Sequence, residues 1–159
     1  MRQNQRPIVA SVVACLAVMS VFLGAQADPA VGTWKLNVAK SKYVAGPVPK
    51  SNVITITAAG SGFHVVAKGV DAAGKPTGLD YTATSDGKDS PVKGSPAYDT
   101  TSLKRIDANT TEQTRKKDGK VVQTATRKIS ADGKTMTVTT RGRDENGRTL
   151  NTVAVFDKQ

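Results

Sequence analysis

TEQTRKKDGKVVQTATRKISADGKTMTVTTRGRDENGRTL, residues 111–150, is the stretch that decides the fold class. Asp118-Gly119, Asp132-Gly133 and Asn146-Gly147 punctuate runs dominated by Thr and Val. Asp-Gly and Asn-Gly accept the positive φ that tight two-residue hairpins demand. Thr and Val, branched at Cβ, suit a pleated surface and weaken a helix. Hairpin therefore follows hairpin across this stretch.

The same grammar extends upstream. Ala59 to Gly62, Asp71 to Lys75, Asp86-Gly87 and Asp107 to Thr110 are further turn signals. Strands are predicted at 31–37, 52–58, 63–70, 77–85, 98–106, 111–116, 121–130, 135–143 and 149–156. The turns recur roughly every 10 to 14 residues, the signature of an all-β antiparallel up-and-down meander, here of about eight or nine strands, closing into a barrel. Residues 38–50 are read as a loop: Ala39 to Tyr43 has room for one helical turn, and Gly46-Pro47-Val48-Pro49 must extend or turn. Two-residue alternation puts Trp34 and Leu36 on an inward face and aligns Val121, Ala125, Arg127 and Ile129 on one face of a later strand, where the contrast between the two faces is weaker.

The N-terminus has a separate character. Arg2 and Arg6 precede an apolar run, Pro7 to Gly24, that ends at Ala25-Gln26-Ala27. A basic start, an apolar middle and small residues at a cleavage site define a secretory signal peptide, removed after Ala27 to leave residues 28–159 as one domain in the periplasm or medium. Two alternatives are an uncleaved anchor, since the run is just long enough to span, and lipidation at Cys15, the sole cysteine. Against lipidation, the apolar run continues well past Cys15. The mature domain then has no cysteine, which excludes disulfides and thiolate metal sites.

Lys and Arg number 23 against 13 Asp and Glu, a formal charge of +10. That balance favours solubility and weak attraction to polyanions. The basic residues are dispersed, however, and aromatics make up only 4%, so no stacking platform for nucleic acid exists. Charges on both faces of Thr111 to Lys117 leave no lipid-facing band for a membrane barrel.

Catalytic residues are not found. His64 is the only histidine and alternates away from Phe63 and Val65, which excludes a histidine metal site and places it on the surface. Asp71, Asp86, Asp107, Asp118, Asp132 and Asp144 are explained as turn formers, and no phosphate-cradling glycine loop occurs. The expectation is no enzyme, no metal and no cofactor. Binding remains. Among mid-strand arginines, Arg105, Arg127 and Arg141, an inward guanidinium could anchor a carboxylate or phosphate by a bidentate contact. Arg127, in alignment with Ala125 and Ile129, is the best placed.

Gly32-Thr33-Trp34-Lys35-Leu36, at the head of the meander, resembles the N-terminal motif of the calycin superfamily, the lipocalins and fatty-acid-binding proteins. With Asn37 to Tyr43 it is similar to a family of small exported bacterial lipocalin-like proteins of unsettled function. The resemblance implies that Gly32 and Trp34 close one end of the barrel and that a cavity opens at the other. It departs from both named families: residues 38–50 are too short and Pro-rich for a helical pair, Leu79-Asp80-Tyr81 comes too early for the late lipocalin motif, and Lys158 is the only basic residue near the end. The resulting expectation is an exported, monomeric carrier of a small apolar or amphipathic ligand, with Arg127, Arg105 and Tyr81 as ligand contacts. The alternatives are a protein-binding module, such as a periplasmic hydrolase or protease inhibitor, and an envelope-associated polyanion binder.

Overall fold

The computed structural model describes residues 27–159; the proposed leader up to Gln26, with Cys15, lies outside the described residues. Eleven strands follow one another: β1 (Gly32–Leu36), β2 (Lys42–Ala45), β3 (Ser51–Ala59), β4 (Gly62–Val70), β5 (Pro76–Thr84), β6 (Asp86–Pro91), β7 (Thr100–Arg105), β8 (Thr110–Lys117), β9 (Lys120–Ile129), β10 (Thr135–Arg143) and β11 (Thr149–Lys158). Ten of them form one antiparallel path in the order β5-β4-β3-β1-β11-β10-β9-β8-β7-β6, with β2 added on β11, and the sheet is rolled into a nearly closed barrel. Across the remaining seam, Asp80 of β5 exchanges two backbone hydrogen bonds with Lys93, of 3.0 and 2.9 Å.

The turns explain the connections. The Asp71, Asp86, Asp107, Asp132 and Asp144 carboxylates each accept a backbone N–H from two or four residues ahead, the side-chain mimicry of a turn that makes Asp frequent there. Asp118 itself adopts a φ of 49°, a conformation that Asp tolerates better than most residues.

Two strands are additions to the sequence expectation of about eight or nine. β2 occupies part of the predicted loop 38–50. A single turn of 3-10 helix, Val38–Lys40, interrupts the chain after β1, and β2 then resumes pairing along β11, with Lys42 opposite Val153 and Ala45 opposite Asn151. Asn37 and Ser41 make the break possible: the Asn37 side chain accepts from the Lys40 N–H at 3.1 Å, and the Ser41 hydroxyl accepts from the Val155 N–H at 2.9 Å. β6 begins at Asp86-Gly87, read above as a turn. The pair is instead absorbed in a register shift between Asp86 and Asp89 on β7, because the chain has already turned at Ser85.

Alternation then fills the interior. Ile54 and Ile56, Phe63 and Val65, Tyr81 and Ala83, Thr101 and Leu103, and Met136 and Val138 point inward from their strands. Trp34 and Met136 are wholly buried. Val121, aligned above with Ala125 and Ile129, is instead 59% exposed: a register shift between Arg115 and Lys116 ends the regular pairing beside the hairpin.

Residues 28–31 cross one end of the barrel. The Trp34 indole donates to the Ala30 carbonyl at 2.9 Å, and Ala30 donates to the Asp28 carboxylate at 2.9 Å. Lys158, near the chain end, holds its ammonium over the Trp34 ring, 5.0 Å from the centroid. The Gly32 φ of 142° is a conformation that side chains resist.

Candidate functional site

Inside the barrel lies a cavity of about 220 Å³. That is slightly below the ~300 Å³ at which typical small-molecule pockets begin. Its walls differ. Ile54, Ile56, Val65, Val138, Ala154 and Phe156 make one side apolar, whereas Thr111, Gln113 and Arg115 of β8 and Arg127 of β9 project from the other. Tyr81, Tyr98, Thr140 and Asn52 complete the polar lining. Among these described lining residues there is no Asp or Glu.

The pairing of β8 with β9 builds the polar wall. Thr111 stands opposite Arg127, Gln113 opposite Ala125 and Arg115 opposite Gln123, so every second residue of both strands shares the inner face. Around Gln113 a network forms. Its amide nitrogen donates to the Thr101 hydroxyl at 2.9 Å and to the Tyr81 hydroxyl at 3.2 Å, and its amide oxygen accepts from Arg115 Nη2 at 2.8 Å. Arg115 Nη1 donates to Gln123 at 2.9 Å, and its guanidinium lies over the Tyr98 ring at 5.0 Å. Arg115 Nε, buried, meets no protein acceptor.

Arg127 is less satisfied still. Its Nη2 is buried with no protein acceptor, and among the described residues it makes no salt bridge. Its guanidinium lies over Phe63, 5.2 Å from the ring centroid, a contact worth about 0.5 to 2 kcal/mol. Burial pulls the Arg127 pKa below its ordinary value, with the Tyr81 phenolate form and the Asp28 carboxylate acting in the opposite sense. The group nevertheless remains a cation, since arginine does not deprotonate in proteins. Burial pushes the Tyr81 phenol up, and Arg127 counteracts this; Tyr81 is therefore neutral, a donor as well as an acceptor.

Of the residues singled out from sequence, Arg127 and Tyr81 come together in the cavity. Arg105 does not line it. Also over Phe63, at 5.7 Å, Arg105 is bound to the Asp28 carboxylate and to the Ala108 carbonyl at 3.2 Å, at the barrel's closed end. Arg141 is exposed on β10. Gly32 and Trp34 lie at the end crossed by residues 28–31. His64 sits on the outer face, 3.0 Å from Asp80, and among the described residues no cluster of three His, Cys, Asp or Glu stands ready for a metal. Nor is any described helix long and apolar enough to cross a membrane. Sequence reasoning passed over Gln113, Arg115 and Gln123.

The architecture is calycin-like. The zebrafish ileal bile acid-binding protein, solved in complex with cholic acid, superposes with a TM-score of 0.50 at 12% identity, over 82% of this chain and 99% of that one. No family model and no curated protein sequence matches the chain.

Proposed function

We propose that this protein is an exported, monomeric binding protein, not an enzyme, that carries a small amphipathic anion inside its barrel. The acid group rests on Arg127 and the apolar body against the wall formed by Ile54, Ile56, Val65 and Phe156. One observation carries the reading: a buried guanidinium without a protein carboxylate in contact, in a cavity lined by no acid. A buried charge without a partner is costly. An incoming carboxylate within 4 Å would gain about 4 kcal/mol of Coulomb energy at an effective dielectric of 20, before its own desolvation. The neighbour of similar fold was solved with cholic acid, itself a carboxylic acid, which agrees with this chemistry. Export and membership of a lipocalin-like bacterial family rest on the leader and the Gly32-to-Tyr43 motif.

The test is a thermal-shift panel of fatty, isoprenoid and aromatic acids with their methyl esters as controls. A ligand at a hundred times its Kd stabilises the fold by about 2.7 kcal/mol. The acids, and not the esters, are expected to raise Tm, and Arg127→Gln to weaken the best of them at least about tenfold. A flat panel would leave the protein-binding alternative.

A further inference from the structure

Arg127 and Arg115 are both half-buried cations on the polar wall, each with one nitrogen buried, but they stand at opposite ends of it. Arg127 pairs with Thr111, and Arg115 lies four residues further along β8, ~13 Å of strand. Their guanidinium groups are fixed to different rings. Arg127 lies over Phe63, which opens β4 beside the turn to β3, at the end crossed by residues 28–31. Arg115 lies over Tyr98, just before β7, at the end where the β8–β9 hairpin turns. Only neutral groups accept from Arg115, namely the Gln113 and Gln123 side-chain oxygens, and its buried Nε has none.

Between the two, the lining is apolar on one side and carries the neutral Tyr81 and Gln113 on the other. A ligand with a single acid group at Arg127 would leave its far end beside the Arg115 cation. Apolar groups there gain nothing from a buried charge, and an anion gains a charge-assisted hydrogen bond.

We infer that the ligand is a dianion with its charges at opposite ends, an α,ω-dicarboxylate or an acid of similar length bearing a second anionic group, gripped by Arg127 at the closed end and Arg115 towards the mouth. This rests on the carrier reading above and specifies its ligand class. Gln113 and Gln123 then serve as positioning residues: they hold the Arg115 guanidinium in place while leaving its charge uncompensated.

Isothermal titration of the residue 28–159 domain with decanoate, decanedioate and decyl phosphate tests the inference. The three share a ten-carbon chain and differ in how much charge they carry and at which ends. Decanedioate is expected to bind at least about tenfold tighter than decanoate, a difference of ~1.4 kcal/mol. Arg115→Gln is expected to bring decanedioate down to the level of decanoate, with folding of the variant checked by its melting curve. Decanoate binding as tightly as decanedioate would overturn the second anchor and leave the carrier reading standing. Decyl phosphate binding tightest would overturn it in favour of two arginines converging on one head. Binding of none of the three would remove the inference together with the carrier reading.

Discussion

The closed end of the barrel and the β8–β9 wall are built from similar residue types to different standards. At the closed end the charged and aromatic groups have counterparts, though the buried Ser85 hydroxyl has none: the Trp34 indole has the Ala30 carbonyl, the Asp28 carboxylate has Arg105 and the Ala30 N–H, and the Lys158 ammonium has the Trp34 ring. On the wall, two arginines keep buried nitrogens without protein acceptors. A protein interior tolerates few such groups unless they serve a ligand. Under the proposed function the contrast separates residues that hold the fold from residues that hold a ligand, and it can be broken by showing that either set does the other's work.

The largest effect is expected at Trp34. Fully buried at the core and tied to the segment that crosses the barrel end, it should cost about 3 to 5 kcal/mol on replacement by Ala, as large-to-small core changes do. Urea denaturation of Trp34→Ala measures this. A loss below about 1 kcal/mol would mean that the end is not sealed by this side chain.

Arg127→Met should move stability the other way. The substitution removes a buried charge and keeps most of the side chain's apolar length, a type of change that is often neutral or stabilising. The lost contact with Phe63 offsets part of the gain. The unliganded variant is expected to be more stable by about 1 kcal/mol in urea while losing its response to acids. A strongly destabilised variant would place Arg127 with Trp34 among the structural residues, and the contrast between wall and closed end would fail.

Much of this was readable in the chain. Turn chemistry identified the all-β class, and alternation placed Trp34 inward and set Arg127 on the same face as Ala125 and Ile129. What escaped was of two kinds. β2 and β6 are short, and they owe their pairing to β11 and β7 rather than to a pattern of their own; neither has a buried residue, so no hydrophobic alternation announces them. Arg115, Gln113 and Gln123 escaped because an inward polar residue looks like an outward one when a strand is read alone. The hairpin does not reveal them either: counted back through Asp118-Gly119, Ala125 would face Glu112, and only the register shift between Arg115 and Lys116 sets Gln113 opposite Ala125 and Arg115 opposite Gln123. Arg105 lies outside the cavity lining because its partner, Asp28, comes from the far end of the described chain, a pairing that strand-by-strand reading does not reveal.

The smallest effect concerns acid. Two hairpin turns at the closed end carry carboxylates held below the usual range: Asp107 by the Asn109 N–H and then the Thr110 side chain, and Asp132 by the Ser130 hydroxyl and then the Lys134 N–H. A carboxylate with a depressed pKa in the folded state contributes stability above the unfolded value, ~3.9 for Asp, and loses it as pH falls through the folded one. Arg127 keeps its proton throughout this range, so it does not itself add to this dependence. The urea midpoint is therefore expected to be flat from neutrality to about pH 5 and to fall below ~pH 4. Asp107→Asn combined with Asp132→Asn should lessen that fall without abolishing it, since the amide oxygen can still accept but no longer titrates, while Asp86, Asp99, Asp144 and Asp157 are also held below the usual range. Arg127→Met should shift the whole profile upward without changing its shape. A change of shape in Arg127→Met would show that Arg127 is coupled to a carboxylate strongly enough to matter, the field of Asp28 being one that reaches it, and would return Arg127 to the electrostatics of the closed end.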